Sequence, residues 1–194
     1  MDLRANFFMK NLLSNETELG NVLVPWERLQ QRISELGRDI SHVYAEKDLA
    51  IVAILKGSFI FAADLLRAID IAVTIDFMAI SSYAGQTKSG VVRITKDVEE
   101  SIAGRDVLLV EDIIDTGLTA NYLLRVLRQH NPASLEICAL LDKSARRLID
   151  LPLAFRGFEI PDVFVVGYGM DYQQRYRNLQ DLVVLRPRNG SSDK

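Results

Sequence analysis

The sequence predicts an α/β fold with a mostly parallel sheet flanked by helices. Three observations predict it. Short apolar runs recur, AIVAIL at 50–55, VLLV at 107–110 and LEICALL at 135–141, suited to strands buried on both faces. Helical spacing follows two of them: FIFAADLLRAI after the first, and Ala120, Leu123, Leu124 and Leu127 after the second. The turns between strand and helix carry Gly beside Lys, Ser, Asp or Thr, so the chain reads as repeated strand–loop–helix units.

Taken in order, residues 1–20 show no clear period and read as a loosely docked arm, with 1–24 set apart as an N-terminal piece. Pro25 suits a helix start, where its missing N–H costs nothing. Leu29, Ile33, Leu36, Ile40 and Val43 then mark one apolar face of a helix over 25–45, with His42 on its surface. Ala50–Leu55 is the first buried strand, and Lys56-Gly57-Ser58 turns into the next helix. Strands are expected at 72–80 and 91–95, joined by the polar stretch SSYAGQTKSG at 81–90. That stretch reads locally as a solvated hairpin tip. Residues 135–141 form a further strand, followed by Asp142-Lys143. In VFVVGYGMDYQQRYRNL, composition suggests a strand, a Gly turn and a short charged helix. A last strand covers 182–185, ahead of a polar tail at 186–194.

Composition limits the function classes. With 194 residues, 48% apolar and 25% charged, the chain fits one domain with a full core and leaves room for a small appendage. A net charge of −3 gives no general footprint for nucleic acid. The single cysteine, Cys138, excludes an intramolecular disulfide and sits in an apolar run that suits packing. No apolar run reaches the ~20 residues of a membrane span. The start, MDLRANFFMKNLL, lacks the features of a secretory signal. A cytoplasmic protein is therefore expected.

The densest chemistry lies in VLLVEDIIDTGLT, 107–119. Glu111 and Asp112 follow the apolar run, then Asp115, Thr116, Gly117, Leu118 and Thr119 lead into a helix. Ligands of open α/β sheets bind at the carboxyl ends of strands. A Gly- and Thr-bearing loop at a helix start offers backbone N–H groups and hydroxyls to a phosphate. The acids cannot hold that phosphate. They suit sugar hydroxyls, Mg2+ or a proton in transit, so the combination fits a sugar phosphate. The bland alternative is an acidic turn in which Asp115 or Thr116 caps the helix.

The order of these residues resembles the phosphoribosyl-pyrophosphate (PRPP) loop of type I phosphoribosyltransferases, and EDIIDTG resembles its form in hypoxanthine-guanine phosphoribosyltransferases. The resemblance covers roughly Pro25 to Leu185. It implies a phosphoribosyltransferase domain over 25–185 with a small hood built from N- and C-terminal pieces. It also implies phosphoribosyl transfer from PRPP to hypoxanthine or guanine, giving IMP or GMP and pyrophosphate, with Mg2+. Such enzymes serve purine salvage and form dimers or tetramers.

The resemblance carries residue roles with it. Glu111 and Asp112 would hold the ribose hydroxyls, and Asp115 would take the proton from nitrogen 7 of the base. Asp115 to Thr119 would hold the 5'-phosphate. Lys56 and Gly57, after an expected cis peptide, would meet pyrophosphate together with Arg177. Ser82 and Tyr83 would belong to a lid over 81–90. Lys143, Phe164, Val165 and Asp171 would contact the purine, with Lys143 donating to its 6-oxo group. Asp171, Glu111 and Asp112 would serve the metal. Leu118 and Ser81 stand where mammalian forms carry lysine, which looks bacterial. Two rivals share the core: a transferase using xanthine or a pyrimidine, and an RNA-binding regulator, which would need a basic face.

Overall fold

The computed structural model describes residues 17–82 and 92–187. It contains two compact units, one made of Gln30–Asp162 and the other of the terminal pieces up to Leu29 and from Val163.

The large unit is built on a six-stranded sheet. Its strands are β2 (Leu49–Leu55), β3 (Val73–Ser82), β4 (Val92–Lys96), β5 (Asp106–Ile114), β6 (Ser134–Asp142) and β7 (Phe155–Glu159), in the order β4-β3-β2-β5-β6-β7. All neighbours are parallel except the edge pair β3–β4. Three helices accompany these strands: α1 (Trp26–Val43), α2 (Phe59–Ala68) and α3 (Leu118–Arg128).

The apolar runs explain the sheet. Ala50, Val52, Ile54, Val107, Leu109, Ile137 and Ala139 share one cluster with Ala120, Leu123, Leu124 and Leu127 of α3. The alternate residues Ile51, Ala53, Leu108, Val110, Cys138 and Leu140 are buried as well. Successive strand side chains point to opposite faces, so these strands are covered on both sides, as their unbroken apolarity predicts. Helix α1 buries Leu29, Ile33, Leu36 and Ile40. Val43, expected on that face, is exposed, because the helix ends there and the turn sends Tyr44 inward instead.

The small unit holds a three-stranded antiparallel sheet in the order β1-β9-β8, with β1 (Thr17–Val24), β8 (Val165–Val166) and β9 (Leu182–Pro187). Its core joins Val166, Tyr176, Val183 and Leu185, with Leu19, Tyr172 and Leu179 against them. The Trp26 N–H, at the start of α1, donates to Asp181 Oδ1 at 2.7 Å.

Several expectations change. Thr17–Val24 is a paired strand where loose text was expected, because its partner β9 comes from the other end of the chain. β9 runs to Pro187, past the expected start of the tail. β5 continues through Glu111 and Asp112 to Ile114, so these acids stand on the strand end, not in the loop after it. Residues 167–177 form turns with several positive φ angles, not a charged helix. β7 was not expected. Tyr83 and the rest of the expected lid to residue 90 lie outside the described residues, as do 1–16 and 188–194 of the expected arm and tail. No helix among the described residues is long and apolar enough to cross a membrane.

Candidate active site

From β2 the sheet grows towards β3 on one side, while β5, β6 and β7 extend it on the other. The order therefore reverses between β2 and β5, and the carboxyl ends of two such strands form the usual binding crevice. Two loops leave there, Lys56-Gly57-Ser58 after β2 and Asp115–Thr119 after β5. Between them lies a cavity of about 230 Å³ whose wall includes Gly57, Glu111, Asp112, Asp115, Thr116, Gly117 and Thr119.

The β2 loop is set by close packing. The peptide between Leu55 and Lys56 is cis. Ser58 is buried, and its hydroxyl donates to the Ile54 carbonyl at 2.6 Å. A Cβ on Gly57 would overlap the Asp112 carboxylate, so only glycine lets this backbone abut the acid. Lys56 is exposed.

The β5 loop combines acid and anion chemistry. Glu111 is 6% exposed, and burial, then the neighbouring charge of Asp112, pushes its carboxyl well above the ordinary carboxylic range. Asp115 Oδ1 is shielded from solvent and accepts no hydrogen bond. The Arg146 Nε lies 3.1 Å from it, so the contact is an ion pair without hydrogen-bond alignment. Gly117 caps α3 with φ of 83°, a left-handed conformation that favours glycine. The Leu118 N–H approaches Thr116 Oγ1 at 3.4 Å. The first N–H groups of α3 have no acceptor inside the helix, which leaves this turn open to an anion. The Leu118 side chain is exposed there.

Lys143 follows β6. A lysine after a strand is usually solvated, but this one is 6% exposed. Its Nζ lies 3.5 Å from Asp162 Oδ1. Asp142 beside it is also buried, held by Arg147 at 2.7 Å and Arg156 at 3.2 Å.

The remaining predicted residues lie in the small unit. Phe164 is 52% exposed and meets Tyr172 edge-on, with ring centroids 5.7 Å apart. Val165 is buried in β8. Asp171 Oδ1 pairs with Arg177 Nη2 at 2.6 Å, and its Oδ2 accepts the Gln174 N–H at 2.7 Å. Arg177 Nη1 donates to the Gly169 carbonyl at 2.7 Å. Among the described residues, no three His, Cys, Asp or Glu side chains are grouped so as to hold a metal ion by themselves.

The model of the phosphoribosyl transferase domain matches residues 23–173. The chain belongs to this family. It is 47% identical over 178 residues to the hypoxanthine-guanine phosphoribosyltransferase of Mycobacterium avium, covering 88% of each chain. To the hypoxanthine phosphoribosyltransferase of Escherichia coli (strain K12) it is 48% identical over 161 residues, covering 81% of this chain and 90% of the other. A crystal structure of a hypoxanthine-guanine phosphoribosyltransferase from Bacillus anthracis is similar, with a TM-score of 0.82 and 42% identity over 88% of this chain and 99% of that one.

Within this phosphoribosyltransferase, two residues without an expected role stand next to expected ones. Arg146 faces Asp115, and Asp162 faces Lys143. Their pairing depends on the crossover from β6 to β7, which local sequence does not reveal.

Proposed function

We propose that this transferase moves the 5-phosphoribosyl group from PRPP to hypoxanthine or guanine, yielding IMP or GMP and pyrophosphate, as a cytoplasmic purine salvage enzyme. The observation that carries the reading is the cavity at the reversal of strand order, with Glu111, Asp112 and the Asp115–Thr119 turn in one wall. It combines an anion cradle with carboxylates, as a ribose phosphate requires.

Breaking the bond between C1 and pyrophosphate puts positive charge on the ribose. A carboxylate already in place, such as Asp112, stabilises such charge most effectively where water is excluded. Glu111 and Asp112 would accept hydrogen bonds from the ribose hydroxyls. The backbone of Asp115 to Thr119, with the hydroxyls of Thr116 and Thr119, would hold the 5'-phosphate. Asp115 would accept the proton leaving nitrogen 7 of the purine, and its shielded Oδ1 accepts no hydrogen bond that would compete. Lys56, Gly57 and Arg177 would meet pyrophosphate, and Ser82 and Tyr83 would belong to the closing lid.

Lys143 would set the base class. An ammonium can only donate, so it suits a 6-oxo group and opposes the 6-amino group of adenine. Phe164, with its exposed ring, would stack on the purine, and Val165 and Asp171 would contact its far edge.

Mg2+ fits this donor set. The ion is commonly held by one or two carboxylates together with substrate phosphates, without a full protein cage. The paired acids Glu111 and Asp112, with Asp171, would serve it. Bound Mg2+ would offset the charge that makes pyrophosphate a poor leaving group. The assembly would be a homodimer or homotetramer, as the resemblance to the family implies.

The test is nucleotide formation from PRPP and Mg2+ with hypoxanthine, guanine, xanthine, adenine and uracil. Hypoxanthine and guanine should be used and the other three used poorly. Efficient use of uracil or xanthine in preference to hypoxanthine rejects the base assignment. No product with any base rejects the activity.

A further inference from the structure

The turn after β6 is fastened to the phosphate loop at two backbone points. The Lys143 N–H donates to the Ile114 carbonyl at 2.9 Å, and the Leu148 N–H donates to the Thr116 carbonyl at 3.0 Å. These acceptors flank Asp115. Between the two donors runs a single 3-10 turn, Ser144–Arg146, closed by the Arg146 N–H donating to the Lys143 carbonyl at 2.9 Å.

This turn aims Arg146 at two carboxylates. Its Nε lies 3.1 Å from Asp115 Oδ1 and its Nη1 lies 3.3 Å from Asp162 Oδ1. The same Asp162 oxygen is 3.5 Å from the Lys143 ammonium. The four side chains therefore alternate in charge: Lys143, Asp162, Arg146, Asp115. We propose that Arg146 is a positioning residue for Asp115, and that through Asp162 it registers Asp115 against Lys143. This rests on the reading of Asp115 as the proton acceptor and of Lys143 as the contact to the 6-oxo group.

The geometry suits such a role. The two groups must act on one purine, at nitrogen 7 and at the 6-oxo oxygen, so their separation matters. A guanidinium presents separate nitrogens in a fixed plane and can hold two carboxylates at a set spacing, which one ammonium cannot. The pair to Asp115 is not aligned as a hydrogen bond, so the charge restrains the carboxylate while its lone pair stays open to a proton. The side chains of Arg146 and Asp162 are 44% and 55% exposed. Exposed ion pairs contribute little to folding stability, so the contact can be removed without unfolding the chain. Arg146 touches no reacting atom in this scheme; it acts on Asp115.

The experiment measures single-turnover rates with saturating PRPP, Mg2+ and hypoxanthine, which separates chemistry from product release. The proteins are the wild type, Arg146→Gln, Arg146→Lys, Asp115→Asn and the double variant Arg146→Gln/Asp115→Asn. Misplacing a reacting group is costly, and for a single exposed restraint a loss of roughly three- to tenfold is expected in Arg146→Gln. KM for PRPP and the melting temperature should stay at wild-type values. Arg146→Lys should recover only part of the rate. In the Asp115→Asn background, Arg146→Gln should add no further loss, because its effect passes through the carboxylate that is already gone.

Three results overturn the proposal. If Arg146→Gln matches the wild type while Asp115→Asn is impaired, Asp115 keeps its role and the positioning claim alone fails. If Arg146→Gln costs as much in the Asp115→Asn background as in the wild type, Arg146 acts elsewhere. If Asp115→Asn itself matches the wild type, the reading of Asp115 fails and the proposal falls with it.

Discussion

Replacing Lys143 by methionine removes the ammonium while keeping an unbranched stem in the buried space the lysine fills. The fold should tolerate this. Asp162 loses one cation but keeps Arg146 at 3.3 Å, and its side chain is largely exposed, so no carboxylate is stranded in the core. The chemistry should not tolerate it. Lys143 is almost fully shielded, so a hydrogen bond to a purine 6-oxo group would be charge-assisted and poorly replaced by water. Losing such a bond costs about 1.5–3 kcal/mol, or roughly ten- to a hundredfold in kcat/KM. Hypoxanthine and guanine present the same oxygen and should lose together. Adenine should change far less, because its amino group met a donor in the wild type. Lys143→Gln, which can accept from that amino group, should narrow the gap between adenine and hypoxanthine. The assay is kcat/KM for the three bases, with PRPP affinity and melting temperature as controls. If Lys143→Met uses hypoxanthine as well as the wild type does, the lysine has only a structural role and the base assignment loses its physical support.

Asp115→Asn is nearly isosteric but cannot take a proton, and should cost roughly 10²- to 10⁴-fold in turnover while PRPP still binds; unchanged single-turnover chemistry would remove it from that role. Gly57→Ala places a methyl group on the Asp112 carboxylate and should displace it, lowering kcat/KM for PRPP by on the order of 10²-fold in a folded protein; wild-type kinetics would show that this close approach is not needed. Glu111→Gln tests the buried carboxyl through stability. Because burial raises its folded value above the ordinary 4.5, the stability it supplies is complete below that pH and is lost as pH rises through the folded value. Glutamine carries no such slope, so the melting temperature of Glu111→Gln relative to wild type should rise from acid to neutral pH. A pH-independent difference would contradict the cause assigned to Glu111.

What sequence could reveal here depended on whether the determining contacts were local. β2, β5 and β6 are covered on both faces, so each had to be an apolar run, and each was visible as one. The Asp115–Thr119 turn was visible because a strand end, a left-handed glycine and a helix start must follow one another within a few residues. β1 was not visible, since TELGNVLV becomes a strand only by pairing with β9 from the far end of the chain. β7 was missed for a related reason: FRGFE is a short edge strand with only Phe155 buried among its five residues, so apolarity gives it no signature. The same reasoning sorts the site. Glu111, Asp112 and Asp115 lie together in the text and were read together, although the sheet carries two of them on β5 itself. Lys143 stood out only through the family resemblance, since a lysine after a strand is usually solvated, and its burial was not legible because that depends on tertiary packing. Asp162 is brought to Lys143 and Arg146 only by the chain's passage through β7. Residues that take charge or protons can be listed from a motif, whereas the residues that hold them in register emerge only when distant strands are laid side by side.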